Sequence, residues 1–163
     1  MTDPLPESTR TAFERHEAYD LTEGTAVLRS VVFDATVGVT DNGDYTLTVR
    51  APTLDSATAD DVGPTVADDW LRTLCHRARD APKATRASVD VDEFTAKAVN
   101  GEVHITYTFA LERPDTAAHI AKTFAEFVEG TYVEGLIPGY EYEPPVTNLL
   151  ADASQGGKRG TPL

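Results

Sequence analysis

The sequence predicts an α+β domain: an antiparallel sheet of four to five strands with helices packed on one face, in the order α-β-β-α-β-β-α. Two stretches alternate apolar and polar residues around Asn-Gly dipeptides, the signature of hairpin strands. Two others begin near a proline and repeat apolar residues at helical spacing. Each strand pair then has one apolar face and each helix one apolar stripe, which bury each other most economically when the helices share a side of the sheet. The domain is expected to span residues 1–152. The ending, ASQGGKRGTPL over 153–163, is small, polar and glycine-rich and is expected to be a disordered tail.

Residues Leu5 to Tyr19 read as a short helix with Ser8 as a candidate cap and Ala12, Phe13 and Tyr19 available to pack. His16 and Glu17 fall on its wet side. From Ala26 to Thr40, AVLRSVVFDATVGVT is rich in β-branched residues and forms one long strand, or two short ones with a bend at Asp34 or Gly38. After the loop TDNGD, Tyr45, Leu47, Val49 and Ala51 alternate with polar neighbours. A two-residue turn at Asn42-Gly43 would set Thr40 against Tyr45 and Gly38 against Leu47, apolar against polar, and a slip of one residue repairs the match. The expectation is therefore a three- or five-residue loop with Gly43 left-handed, pairing Val39 with Leu47 or with Tyr45.

A loop of small and acidic residues over 52–63 leads into a helix that starts at Pro64 and closes near Asp80 and Pro82. Its stripe is Ala67, Trp70, Leu71, Leu74, Cys75 and Ala78. Cys75 beside His76 is a tempting nucleophile and base, yet sequence neighbours on a helix point about 100° apart, and Cys75 belongs to the stripe expected in the core. Thr85 to Asp92 enters the next strand, with Val89 and Val91 as its apolar positions and a bulge near Asp92 to Phe94.

The stretch from Phe94 to Leu111 carries the sharpest pattern. A two-residue type I′ turn at Asn100-Gly101 pairs Val99 with Glu102, Ala98 with Val103, Lys97 with His104, Ala96 with Ile105, Thr95 with Thr106 and Phe94 with Tyr107. Val103, Ile105, Tyr107, Phe109 and Leu111 then share a face with Ala98, Ala96 and Phe94. Arg113-Pro114-Asp115 breaks the strand and starts a third helix, whose buried stripe is Ala117, Ile120, Ala121, Phe124, Phe127 and Val128 and whose end is Gly130. His119, Lys122 and Glu126 share its outer face. A last short helix is expected around Val146 to Ala151. The two halves, each a strand, an Asn-Gly loop followed by an acid, a strand and a proline-started helix, form a possible pseudo-repeat.

Charge bounds the function. The chain has 27 acidic residues against 14 basic ones and a net charge of −13, and Lys83, Lys97, Lys122 and Lys158 are its lysines. In dilute buffer that charge makes the compact state repel itself, whereas at molar salt the Debye length is about 3 Å and the repulsion is screened. A solvated surface adapted to salt is the reading preferred over a dedicated cation surface or a nucleic-acid mimic. No basic stripe interleaved with aromatics encourages nucleic-acid binding. No segment reaches the roughly 20 apolar residues of a membrane span, the start MTDPLPEST lacks the basic and apolar regions of a secretory signal, and the single Cys75 suits a reducing compartment; the expectation is a soluble, cytoplasmic protein.

The segment TYVEGLIPGYEYEPPV over 131–146 concentrates Tyr132, Tyr140 and Tyr142 with Glu134, Glu141 and Glu143 among glycines and prolines. Stiff backbone and rigid rings suit a binding edge, and equally a covering segment in which Leu136 and Ile137 tuck under the sheet. Tyr140, Glu141, Tyr142 and Tyr132 are the binding candidates. His104, Lys97 and Thr106 on the wet face of the hairpin form a second polar candidate. No catalytic residues, metal site or cofactor are expected: the four histidines are far apart in sequence, and Asp41 and Asp44 fall short of the six to eight oxygens of a calcium site.

The acidic composition, the stretch FDATVGVTDNGDYTLTVRAPTLDSATADDV and the ending FVEGTYVEGLIPGYEYEPPV together resemble a family of small uncharacterised haloarchaeal proteins classed as a domain of unknown function, over roughly Leu5 to Leu150. The resemblance implies no activity, cofactor or site. The element order is also similar to that of type III secretion chaperones and sensory-regulator-like domains, which form dimers and bind extended peptides, a likeness at the level of fold. The function expected is a non-enzymatic protein-interaction or chaperone-like module, with a protein partner or a homodimer. The alternative is a small-molecule-binding protein or hydrolase with a pocket between the sheet and residues 131–146.

Overall fold

A hairpin with its turn at Asn100-Gly101 sets the geometry of the sheet. Both turn residues have positive φ, 51° and 82°, as a type I′ turn requires, and the six strand pairs expected from Val99–Glu102 back to Phe94–Tyr107 all form. The computed structural model describes residues 5–22, 24–86 and 88–152. Along the chain these give α1 (Glu7–Arg15), β1 (Tyr19–Thr22), β2 (Thr25–Leu28), β3 (Asp34–Val39), β4 (Tyr45–Pro52), α2 (Leu54–Ala57), α3 (Pro64–Ala78), a 3-10 turn (Ala81–Ala84), β5 (Val91–Val99), β6 (Glu102–Phe109) and α4 (Pro114–Glu134). Residues 146–152 are helical. The expected tail at 153–163 lies outside the described residues.

The six strands form one antiparallel sheet in the order β1-β2-β3-β4-β6-β5. The α+β class and the antiparallel sheet stand as expected, with six strands where four to five were anticipated. The apolar run at 26–40 divides because residues 29–33 form a loop, pinned where the Phe33 N–H donates to the carboxylate of Glu129 at 2.6 Å. An additional strand, β1, appears because α1 stops at Arg15 and His16 turns the chain, its Nδ1 accepting from the Ala18 N–H at 3.2 Å. The loop after β3 has five residues, with Val39 opposite Tyr45 and Gly43 at φ 84°.

One face of the sheet is the core. Ala35, Val37, Tyr45, Leu47, Val49, Ala51, Val103, Ile105, Tyr107 and Phe109 all lie within it, as the alternation along β3, β4 and β6 requires. Helix α4 covers this face, with Phe124 5.1 Å from the Tyr107 ring and 5.6 Å from Phe109. Three tyrosine hydroxyls tie the layers: Tyr19 donates to the Ala118 carbonyl at 2.6 Å, Tyr107 to the Ala78 carbonyl at 2.6 Å and Tyr132 to the Pro52 carbonyl at 2.9 Å. Each ring is thus buried with its polar atom satisfied, and burial pushes all three phenols well above their ordinary range.

Two further boundaries differ from expectation, one of a helix and one of a strand. Helix α4 runs through Gly130 to Glu134 and is capped by Gly135, so Tyr132 is helical. A lone glycine costs only about 1 kcal/mol in a helix, and the buried residues Val128, Thr131 and Tyr132 on either side outweigh it. Strand β5 begins at Val91, later than Thr85, since the chain first makes the 3-10 turn at Ala81–Ala84; the expected bulge is present between Val91 and Glu93.

Candidate functional site

Helix α3 carries two faces. Trp70, Leu74 and Ala78 are buried, while Val66, one turn before Trp70, is the exposed large hydrophobic among the described residues at 38%. Val66, Trp70 and Leu74 stand at i, i+4 and i+8, one above the other. Across from them lie Thr131 and Tyr132 of α4, then Gly135 and Ile137, and together these walls line an open cleft of about 270 Å³. No β-strand residue lines it, so the cavity sits between α3 and the chain leaving α4 rather than between the sheet and residues 131–146.

The cleft is rigid at its back. The Trp70 indole meets the Tyr132 ring edge-to-face at 5.3 Å and 87°, and Tyr132 in turn meets Phe33 at 4.8 Å and 72°. Its charges are paired within the molecule: Arg77 with Glu134, and Asp69 with Arg72 at 3.3 Å. What remains on offer is apolar surface with two hydroxyls, Thr73 and Thr131, beside it. Such a surface favours burial of an apolar group and supplies no obvious nucleophile-base pair. Cys75, expected in the core, is half-buried, and burial pushes its thiol up, away from the reactive thiolate.

The four binding candidates at the end of the chain separate by role. Tyr132 is fully buried, the back wall of the cleft. Tyr142 is half-buried, and its hydroxyl accepts from the Ile137 N–H at 2.9 Å and donates to the Ile137 carbonyl at 2.8 Å. Glu141 is exposed in its side chain but fixed in its backbone: its N–H donates to Asp60 Oδ2 at 2.7 Å and its carbonyl accepts from Thr58 Oγ1 at 2.5 Å. Tyr140 stands edge-on to Tyr142 at 6.4 Å. These bonds, with Glu143 N–H on the Ala57 carbonyl at 2.8 Å, make the segment a strap. It holds Ile137 in place as one wall of the cleft.

The second candidate set lies on the open face of the sheet, remote from the cleft in the fold. Lys97 and Arg50 flank His104 in register, and Thr106 is one row on, 3.4 Å from Thr48 through their hydroxyls. His104 Nε2 lies 3.3 Å from Glu102 Oε1. Among the described residues no group of three or more His, Cys, Asp or Glu is gathered as a metal site would require, and no helix is long and apolar enough to cross a membrane.

Sequence reading missed the cleft because Trp70 and Leu74 read as ordinary stripe residues and Ile137 as a residue tucked under the sheet. The one available signal was Val66, an apolar side chain extending the Trp70–Leu74 row beyond the part the core needs. Residues 10–152 match the model of a family described as a family of unknown function (DUF5813). No curated protein and no solved structure matches the chain.

Proposed function

The chain belongs to this family of unknown function, and from its geometry we propose that it is a non-enzymatic interaction module that receives an apolar side chain of a protein partner in the α3–α4 cleft. The carrying observation is the exposed Val66 at the mouth of a cleft walled by Trp70, Leu74 and Ile137. Apolar side chains seated in a preformed pocket are the usual anchors of such contacts. The cleft volume is about 270 Å³, just under the roughly 300 Å³ at which drug-sized ligand sites begin. One bulky side chain fits it better than a cofactor. The internal pairing of Arg77 with Glu134 fits the same reading, since a charged ligand would have to displace that bond.

Trp70 is the single tryptophan of the chain, so its emission reports on the cleft alone. The test is capture of a partner by the tagged full chain at molar salt, repeated with Val66→Asp, a substitution at an exposed site that places a charge at the mouth. A stoichiometric partner that shifts Trp70 emission and is lost with Val66→Asp is expected. Partner retention unchanged by Val66→Asp would overturn the reading.

A further inference from the structure

Strand β5 is the edge of the sheet: it pairs with β6 on one side, and no described strand pairs with the other. It is nine residues long, against four for β1 at the opposite edge, and a long unpaired edge is a template for another strand. The two-residue turn decides which of its groups are free. Val99 and Glu102 flank that turn and exchange both backbone bonds, so Lys97, Thr95 and Glu93 also aim theirs at β6, while Ala98, Ala96 and Phe94 aim theirs outward.

The side chains select a partner. Glu93, Thr95 and Lys97 are exposed on the open face, and Phe94 and Ala96 are half-buried on the other. A second copy of the strand laid antiparallel keeps both faces continuous only if the two-fold axis passes through a residue position. Centred on Thr95, it sets Glu93 against the partner's Lys97 and Lys97 against the partner's Glu93. The outward-aimed Phe94 and the partner's Ala96 then exchange backbone bonds, and so do their symmetry mates. The charged pairs fall at non-hydrogen-bonded positions, where facing side chains come closest. Centring on Glu93 or Lys97 stacks like charges, and centring on Phe94 or Ala96 leaves Lys97 without an acid.

We propose that the chain forms a homodimer by antiparallel pairing of β5 with β5 about a two-fold axis at Thr95, joining two sheets into one. The pair is isologous, so a single charge reversal creates two repulsive pairs and reversing both charges restores two attractive ones. Each copy carries a net charge of −13, so the dimer strengthens as added salt screens the long-range repulsion. This surface is separate from the α3–α4 cleft and stands whether or not the cleft binds anything.

Sedimentation of the full chain over a range of concentrations reads the stoichiometry, and cysteine cross-linking reads the register. The expected results are a dimer, its weakening at least tenfold by Lys97→Glu, and its recovery in Glu93→Lys/Lys97→Glu. In a Cys75→Ala background, Thr95→Cys should give a disulfide-linked dimer on air oxidation. A chain that stays monomeric at all concentrations and salts overturns the proposal. So does a dimer that Lys97→Glu leaves unchanged and Thr95→Cys fails to cross-link.

Discussion

The hydroxyl of Tyr142 bridges both backbone polar groups of Ile137, accepting at 2.9 Å and donating at 2.8 Å. That one phenol closes the strap after α4 and positions the Ile137 wall of the cleft. Tyr142→Phe keeps the ring and removes the bridge, leaving two backbone groups to find other partners. The expected cost is about 1–2 kcal/mol, measured by denaturant unfolding, together with a shift in Trp70 emission as the wall relaxes. Unchanged stability and emission would show that the strap is held by its backbone bonds to Ala57, Thr58 and Asp60 without the phenol.

Glu129 should make stability depend on pH in the opposite sense to a paired carboxylate. Burial raises it from 4.5 to about 7, more than the opposing bonds from the backbone of Phe33 and Val32 lower it, with the Asp152 and Glu126 charges adding to the rise. Between these values the folded chain holds a proton that the unfolded chain has released. Stability from this group is therefore full below about pH 4.5 and is lost as pH rises through about 7, by at most about 3 kcal/mol. Glu129→Gln keeps an acceptor for the Phe33 N–H and removes the titration. Unfolding midpoints at pH 5 and pH 7.5 should converge in the variant relative to wild type; parallel profiles would place the titration elsewhere.

Gly101 and Gly43 both have positive φ, 82° and 84°, but only Gly101 is crowded: a Cβ there would lie 2.8 Å from Ser56 Oγ, while Gly43 faces open space. Alanine at Gly43 should cost about 1 kcal/mol for the backbone alone. Alanine at Gly101 should cost about 1 kcal/mol more, because Ser56 must move and its 3.0 Å contact with Thr53 Oγ1 goes with it. A double-mutant cycle with Ser56→Ala separates the terms. Ser56→Ala should remove the excess, and persistence of the excess would mean that the turn itself, not the contact, is at fault.

The hairpin from Phe94 to Phe109 was legible residue by residue because its information is local: a turn of two residues sets the register, and the alternation sets the face. The division of the run 26–40 was legible only as one of two options, with its bend at Asp34 or Gly38 instead of the loop at 29–33, since the bond that pins that loop comes from Glu129, 96 residues along the chain. Tyr132 illustrates the same limit. Gly130 is a stop signal when read locally, and only the packing of Tyr132 on Trp70 and Phe33 carries the helix past it. The cleft depends on the spacing of two helices that share no sequence pattern, and the apolar Val66 outside the expected stripe was the one local sign of it. The strap reads as either wall or edge from the sequence, because the bonds of Tyr142 to Ile137 leave no local pattern.

Helix α4 fills the middle of the core, yet it is synthesised after every strand of the sheet that it covers. Tyr19 in β1 reaches its acceptor only at Ala118, 99 residues later. During translation the strands emerge first, and only α1, α2 and α3 are available to cover the inner sides of β3, β4 and β6 until α4 leaves the ribosome. Assembly of the native domain is thus a late event, and a nascent chain stalled before Pro114 presents a wide apolar sheet to chaperones and to other nascent chains.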